Sequence, residues 1–301
     1  MLQVLVNGLA LGAAYALLAL GFVLVVNATG AVNFAHGELV MAGGLLAVAL
    51  ASLWPVPGFA LLPLLMIGMA VIGVLIALAA YFPLKDRPHV SVFISTIAVG
   101  IMLQNAANAV FGPEPRTGPA LLGGGLLELG PVVLSVQALA VITVAAILVA
   151  AQHALFQRTR VGRRLRATAQ DRETAEALGI NVNGVIAGTF ALAAAHAGAA
   201  GLLLSNTFFV TPVDGNNYIL KAYIAVVIGG WGSIPGALAG AMLIALFEVV
   251  WPSLPLLIPP LAGLSGVFSQ TTAAILVYVA VLFILVVRPQ GLFGEAIQRR
   301  A

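Results

Sequence analysis

Long apolar runs separated by short polar breaks recur from the first residues to Val287. Six are clear, at 4–26, 37–53, 59–82, 90–111, 133–155 and 184–204; a shorter run at 219–230, another at 235–251 and a last one at 270–287 follow. A hydrocarbon slab about 30 Å thick takes about 20 mainly apolar residues per helix, so this pattern predicts eight or nine spans. The stretches Leu134 to Ala151 and Thr271 to Val287 are almost continuously apolar and rich in Ala, Leu and Val. A transmembrane barrel would instead alternate polarity over roughly ten-residue segments. Helices also satisfy their backbone groups within the segment, as lipid requires. The pattern therefore predicts an all-α, polytopic transmembrane helix bundle in which some spans are short or broken.

Composition agrees: 61% of the 301 residues are hydrophobic and 8% charged, against roughly 25% charged in a soluble domain. The lipid bilayer is the expected solvent. No soluble segment stands apart and no internal repeat is evident, so residues 1–301 read as a single transmembrane domain. Three stretches break the helices at membrane depth: Asn27 to Gly37, Gly229 to Gly236, and the proline-rich Trp251 to Pro260. Broken backbone there must be buried in protein or line a cavity, and transporters use such discontinuous helices to build sites. Gly8-x-x-x-Gly12 and Gly232-x-x-x-Gly236-x-x-x-Gly240 have the spacing that lets helices approach closely.

Charge sets the sidedness. Of the 13 Lys and Arg, all but Arg116 and Lys221 fall in three segments: Lys85 and Arg87; Arg158 to Arg172; and Arg288, Arg299 and Arg300. Those segments are expected to be cytoplasmic by the positive-inside rule, with Arg116 and Lys221 near the outer face and, for nine crossings, the amino terminus outside. This placement accounts for the net charge of +3 without nucleic acid as a partner. The first basic residue is Lys85, so the apolar amino terminus lacks the charged region of a cleavable signal peptide. Cysteine is absent, which excludes disulfides, thiolate catalysis and cysteine-ligated metals.

One polar stretch is long. His153 to Asn183 reads HALFQRTRVGRRLRATAQDRETAEALGINVN. From Val161 it has the periodicity of a short helix, with Leu165, Thr168, Ala169 and Arg172 at three- and four-residue spacing and Gly179 as a C-cap. On charge alone its arginines need do no more than fix topology.

The stretch Arg166 to Ile180 resembles the cytoplasmic loop of ABC-importer permeases. Three further blocks, Asn7-Gly8 to Gly21, Asn33-Phe34-Ala35-His36-Gly37-Glu38, and Gly229-Gly230-Trp231-Gly232-Ser233-Ile234-Pro235-Gly236-Ala237, together with the ending Arg288-Pro289-Gln290-Gly291-Leu292-Phe293-Gly294, resemble the branched-chain amino acid permease family. Trp231 stands where that family usually has glycine. The resemblance implies a coupling loop at about 156–183, with Arg163, Arg164, Ala169, Asp171, Ala175 and Gly179 meeting ATPase subunits. It also implies a second permease subunit, homologous or identical, a periplasmic substrate-binding protein, and a place in the bacterial inner membrane. Relatives for urea and short amides exist in the same family and are the alternative substrates.

The chain's own chemistry is sparse. It has no G-x-x-x-x-G-K-[ST] phosphate loop, and neither Lys85 nor Lys221 follows glycine, so ATP hydrolysis is expected on other polypeptides and this chain is not itself an enzyme. Gly263-Leu264-Ser265-Gly266 has a form used by intramembrane serine proteases, but the nucleophile would need a base on a later helix and the last histidine is His196. Asn33, His36 and Glu38 cluster at a helix break, where ionisable groups are costly enough to point to a role, as a helix cap or in the translocation path. Glu248 lies in an apolar run, facing a central cavity or the outer interface beside Trp251. His36 and Glu38 at i and i+2 do not share a helical face, so neither a metal site nor a cofactor is expected. Asp214 and Lys221 flank an expected outer connection, solvated or in contact with a binding protein. A secondary transporter or channel working without ATP would share the broken helices; the cytoplasmic loop is the feature that separates it from an importer.

Overall fold

The computed structural model describes residues 2–129, 132–264, 266–288 and 290–293; Ser265, Pro289, Gly294, Arg299 and Arg300 lie outside the described residues. The chain is an all-α bundle. Its helices are α1 (Leu2–Thr29), α2 (His36–Leu53), α3 (Gly58–Ile76), α4 (His89–Phe111), α5 (Val136–Arg158), the short α6 (Arg160–Gln170) and α7 (Arg172–Ala177), α8 (Val182–Thr207), α9 (Gly215–Gly229), α10 (Ile234–Leu257) and α11 (Gln270–Val287). Eight of them are long and apolar enough to cross a membrane; α9, at 15 residues, is the short one. A two-stranded antiparallel hairpin, β1 (Leu126–Leu129) and β2 (Val132–Ser135), sits in the loop before α5.

Helix α1 forms the axis. It is buried over most of its length, and the residues from Ala10 to Val26 join one apolar cluster with α8, α9 and α10. By contrast α4, α5 and α11 are mostly exposed, as helices facing lipid or another subunit are. The glycine motifs pack within this chain: a Cβ at Gly8 would meet Leu246, one at Gly12 Met242, one at Gly236 the carbonyl of Gly229 and one at Gly240 the carbonyl of Ala225. Close approach between backbones is what small residues allow in a bundle with no hydrophobic effect to hold helices together.

Two features depart from the sequence expectation. The proline-rich stretch breaks the helix only near its end: α10 runs through Pro252 and Pro255 to Leu257, with the Ile258 amide still bonded to Leu254 O, and stops at the extended Ile258, after which Pro259–Leu264 forms a 3-10 turn. The prolines sit in its last two turns, where only the carbonyls of Glu248 and Trp251, four residues before each, lose an intrahelical donor. The second feature is an internal repeat. Helix α1 is followed by an extended segment that turns back into the bundle and starts α2 there; α8 is followed by a segment that does the same and starts α9. The antiparallel pair α1 with α10 is matched by α8 with α3, and the two halves run in opposite directions, with α5 to α7 joining them. A matching signal, Val6-Asn7-Gly8-x-x-x-Gly12 and Val182-Asn183-Gly184-x-x-x-Gly188, opens α1 and α8. Inverted repeats with broken helices are a transporter architecture.

Candidate functional site: a polar helix pair and a buried polar centre

The first site, the pair of short helices α6 and α7, is built at the end of α5. Thr159 N-caps α6: its hydroxyl accepts from Gly162 N (3.1 Å) and donates to Leu155 O (2.6 Å). Gly162 lies so close to the carbonyls of Leu155 and Phe156 that a Cβ could not fit, which makes the turn sharp. Arg166 donates to Phe156 O, and Leu165 and Thr168 are buried, so α6 is held against the bundle.

The single helix expected to run to Gly179 is two helices hinged at Asp171. This residue leaves helical geometry (φ −156°, ψ 113°), and its carboxylate caps α7 by accepting from Thr174 N (3.1 Å) and the Thr174 hydroxyl (2.6 Å). Those two bonds, the hydroxyl's first, hold the Asp171 carboxyl below its usual range. The cap's contribution is therefore present above the ordinary carboxylate pKa and is lost only as pH falls through the lowered one. Gly179 ends α7 at φ +78°, with Gly179 N on Glu176 O (2.9 Å) and Ile180 N on Ala175 O (3.0 Å). That is the Schellman closure, and its left-handed residue is why glycine stands there.

Of the residues singled out here, Arg163, Arg164, Ala169, Asp171 and Gly179 are exposed. Ala175 is not. It is 2% exposed and packs into the main apolar cluster, so it anchors α7 rather than presenting it to a partner. Sequence reasoning missed two positions. Leu178 is 75% exposed at the tip of the unit, an apolar side chain with no intramolecular cover. Arg172 points inward: it donates to Ala28 O (3.2 Å) at the end of α1 and to the Tyr81 hydroxyl, and its guanidinium lies 5.8 Å from the Tyr81 ring centroid. Tyr81 closes a π-helical turn, Ala77–Tyr81, at the end of α3; such turns recur at functional positions.

The second site is the meeting point of α2 and α9. Thr29 turns the chain, its hydroxyl accepting from Ala31 N (3.1 Å), and the Asn33 side chain accepts from Ala35 N (3.1 Å) just before α2. His36 is fully buried, with Nε2 3.0 Å from Leu18 O of α1. Glu38 packs its carboxylate against Gly215, the first residue of α9, while a Cβ at Gly37 would collide with Gly215 O and Ile219 N. The amino ends of both helices thus meet inside the bundle, and their dipoles face a carboxylate. Nearby, Lys221 forms an ion pair with Glu248 and lies 6.0 Å from the Tyr15 ring centroid, and the Tyr15 hydroxyl donates to Glu248 Oε2 (3.1 Å). Lys221 is thus inside the bundle rather than solvated: α9 begins against the start of α2, within the bundle, which carries Lys221 to where Glu248 needs a counter-charge. Arg116 does lie in the loop after α4, where its backbone pairs in both directions with Val210. No group of three or more metal-ligating side chains occurs among the described residues.

A bundle of eight long spans plus a short one, folded as an inverted repeat with a compact polar unit of two short helices, defines a multi-pass transport protein. A family profile described as "Branched-chain amino acid transport system / permease component" matches residues 4–287, and the chain belongs to that family. It is 32% identical to the high-affinity branched-chain amino acid transport system permease protein BraD of Pseudomonas aeruginosa over 98% of this chain and 96% of that protein. It is 33% identical to the corresponding permease protein LivH of Escherichia coli K12, with the same coverages. Among solved structures, PsaBC from Streptococcus pneumoniae in complex with Fab aligns with a TM-score of 0.50 and 14% identity over 94% of this chain and 91% of that one, a likeness of fold.

Proposed function

We propose that the chain is one membrane-spanning subunit of a bacterial ABC importer for branched-chain amino acids, acting as one permease body in the inner membrane. Separate ATPase subunits dock on α6 and α7. A second permease subunit, identical or homologous, completes the pathway, and a periplasmic binding protein delivers the substrate. The observation that carries this reading is the cytoplasmic unit of a family member: its outward face offers Arg163, Arg164, Asp171 and the bare Leu178, while Arg172 ties its inward face to α1 and Tyr81. A push on that face is transmitted to the central helix through a short rigid connection. Asn33, His36 and Glu38 pin the crossing of α2 and α9, about which the two halves reorient.

The test is uptake of labelled leucine into proteoliposomes holding this chain with its partner permease, ATPases and binding protein. Uptake that needs both ATP and the binding protein is the expected result. Flux through this chain alone without ATP would overturn it, and an assembly that carries urea or short amides but no leucine would overturn the substrate.

A further inference from the structure

The bundle is not filled behind the docking unit. A cavity of about 1190 Å³ lies between the inner halves of α1, α5 and α10, with α6 across its cytoplasmic end. Its outer end is closed where Gly8 and Gly12 let α10 press on α1. Ala16, Leu20, Ala146, Val149 and Leu238 give it apolar walls, and Arg158, Arg166, His153 and Gln157 stand at its cytoplasmic mouth. Arg158 is exposed and makes no ion pair among the described residues; Arg166 uses one guanidinium nitrogen on Phe156 O. Between walls and mouth lies Gln152, 6% exposed, with neither its amide nitrogen nor its amide oxygen partnered. Buried amides are normally hydrogen-bonded, so this one is left for a ligand to satisfy.

Size, polarity and depth select that ligand. The cavity exceeds the roughly 300–1,000 Å³ of sites built around small molecules, and a single amino acid would not fill it. Its aliphatic length lies at hydrocarbon depth, whereas its basic mouth lies where the positive-inside rule places the cytoplasmic headgroups. Gln152 precedes Arg158 by six residues, about 9 Å deeper at 1.5 Å per residue. A glycerolipid carries its ester carbonyls a few ångströms beneath its phosphate, and the long Arg158 side chain, leaning toward the helix N-terminus, closes the rest of that gap.

We infer that this cavity binds one anionic phospholipid of the cytoplasmic leaflet. Arg158 and Arg166 hold the phosphate, Gln152 Nε2 donates to an ester carbonyl, and the acyl chains run along α1, α5 and α10. Basic pockets between transmembrane helices on the cytoplasmic side suit such headgroups. The lipid fills the space behind α6 and so supports the docking unit from within. The inference is independent of which solute the chain transports.

Native mass spectrometry of the full chain in mild detergent, titrated with phosphatidylglycerol or phosphatidylcholine, reads the site directly. One phosphatidylglycerol should be retained about 10-fold more tightly than phosphatidylcholine, and Arg158→Glu should remove that preference. Gln152→Leu should weaken retention of both lipids, because both carry the ester, and its similar size keeps the chain folded. Ala146→Trp, which places an indole in the groove, should abolish both. Retention indifferent to headgroup charge, or unchanged in Gln152→Leu and Ala146→Trp variants that elute and melt like the parent, overturns the site. So does cross-linking of Ala146→Cys to another protein subunit in the assembled transporter, since protein would then occupy the groove.

Discussion

Gly179 and the Glu248–Lys221 pair show how much a single position decides in this molecule. At φ +78°, Gly179 has open space around it, so the obstacle to substitution is backbone geometry rather than volume. Proline there is locked near φ −65° and loses the amide that bonds Glu176 O. Gly179→Pro should leave membrane insertion intact and ATP hydrolysis measurable while leucine uptake falls about ten-fold or more, read as ATP hydrolysed per leucine transported. The buried pair behaves differently. Removing one partner, as in Lys221→Met, strands a charge and should cost about 3–5 kcal/mol. The double variant Lys221→Met with Glu248→Gln should recover most of that loss in denaturant unfolding of the detergent-solubilised chain. Gly179 was legible in the sequence because helix-terminating glycine is a local signal. The pairing of Glu248 with Lys221 and Tyr15 was not: Tyr15 and Glu248 are 233 residues apart, and nothing local says which buried groups will meet.

Among the elements, the link between α7 and α1 has the most direct functional consequence. Arg172 makes two hydrogen bonds and a stacking contact from one planar guanidinium. Arg172→Ala should therefore uncouple transport from ATP hydrolysis without loss of assembly, and Arg172→Lys should not restore coupling, since an ammonium lacks the fork geometry. Paired assays of ATPase rate and uptake in the reconstituted complex check both. The crossing of α2 and α9 makes a second prediction. Gly37→Val drives a Cβ into Gly215 O and the Ile219 backbone, with two methyls to place beyond it, and overpacking of this kind costs about 1–3 kcal/mol; a lower melting temperature than for the open-space substitution Gly68→Val is the expected readout. Apolar run lengths placed the spans within a few residues of their observed ends. They failed where an element's fate depends on its surroundings: α10 ran on through Pro252 and Pro255 before ending at Ile258, and the helix after Val161 broke at Asp171 because an aspartate three residues before Thr174 caps better than it propagates.

At the scale of the molecule, the prediction is topology: amino terminus outside, docking unit and α9–α10 turn inside. The absence of native cysteine makes the test clean, because Glu114→Cys should react with an impermeant reagent only from outside and Glu173→Cys only from inside. The reverse pattern would overturn the orientation. Sequence alone determined the solvent and the helical class, and it set the expectation for sidedness and for the docking unit, because each depends on run length, charge distribution or local spacing along one dimension. Only the tertiary structure decided that the chain is an inverted repeat, that α2 and α9 begin side by side at its centre, and that a cavity lies behind α6. Those features arise from pairings between residues far apart in the chain, such as Asn27 with Gly232 and Glu38 with Gly215. In lipid every apolar run is equally content with its solvent, so hydrophobicity cannot choose among partners. Backbone approach at glycines and the satisfaction of buried polar groups make that choice.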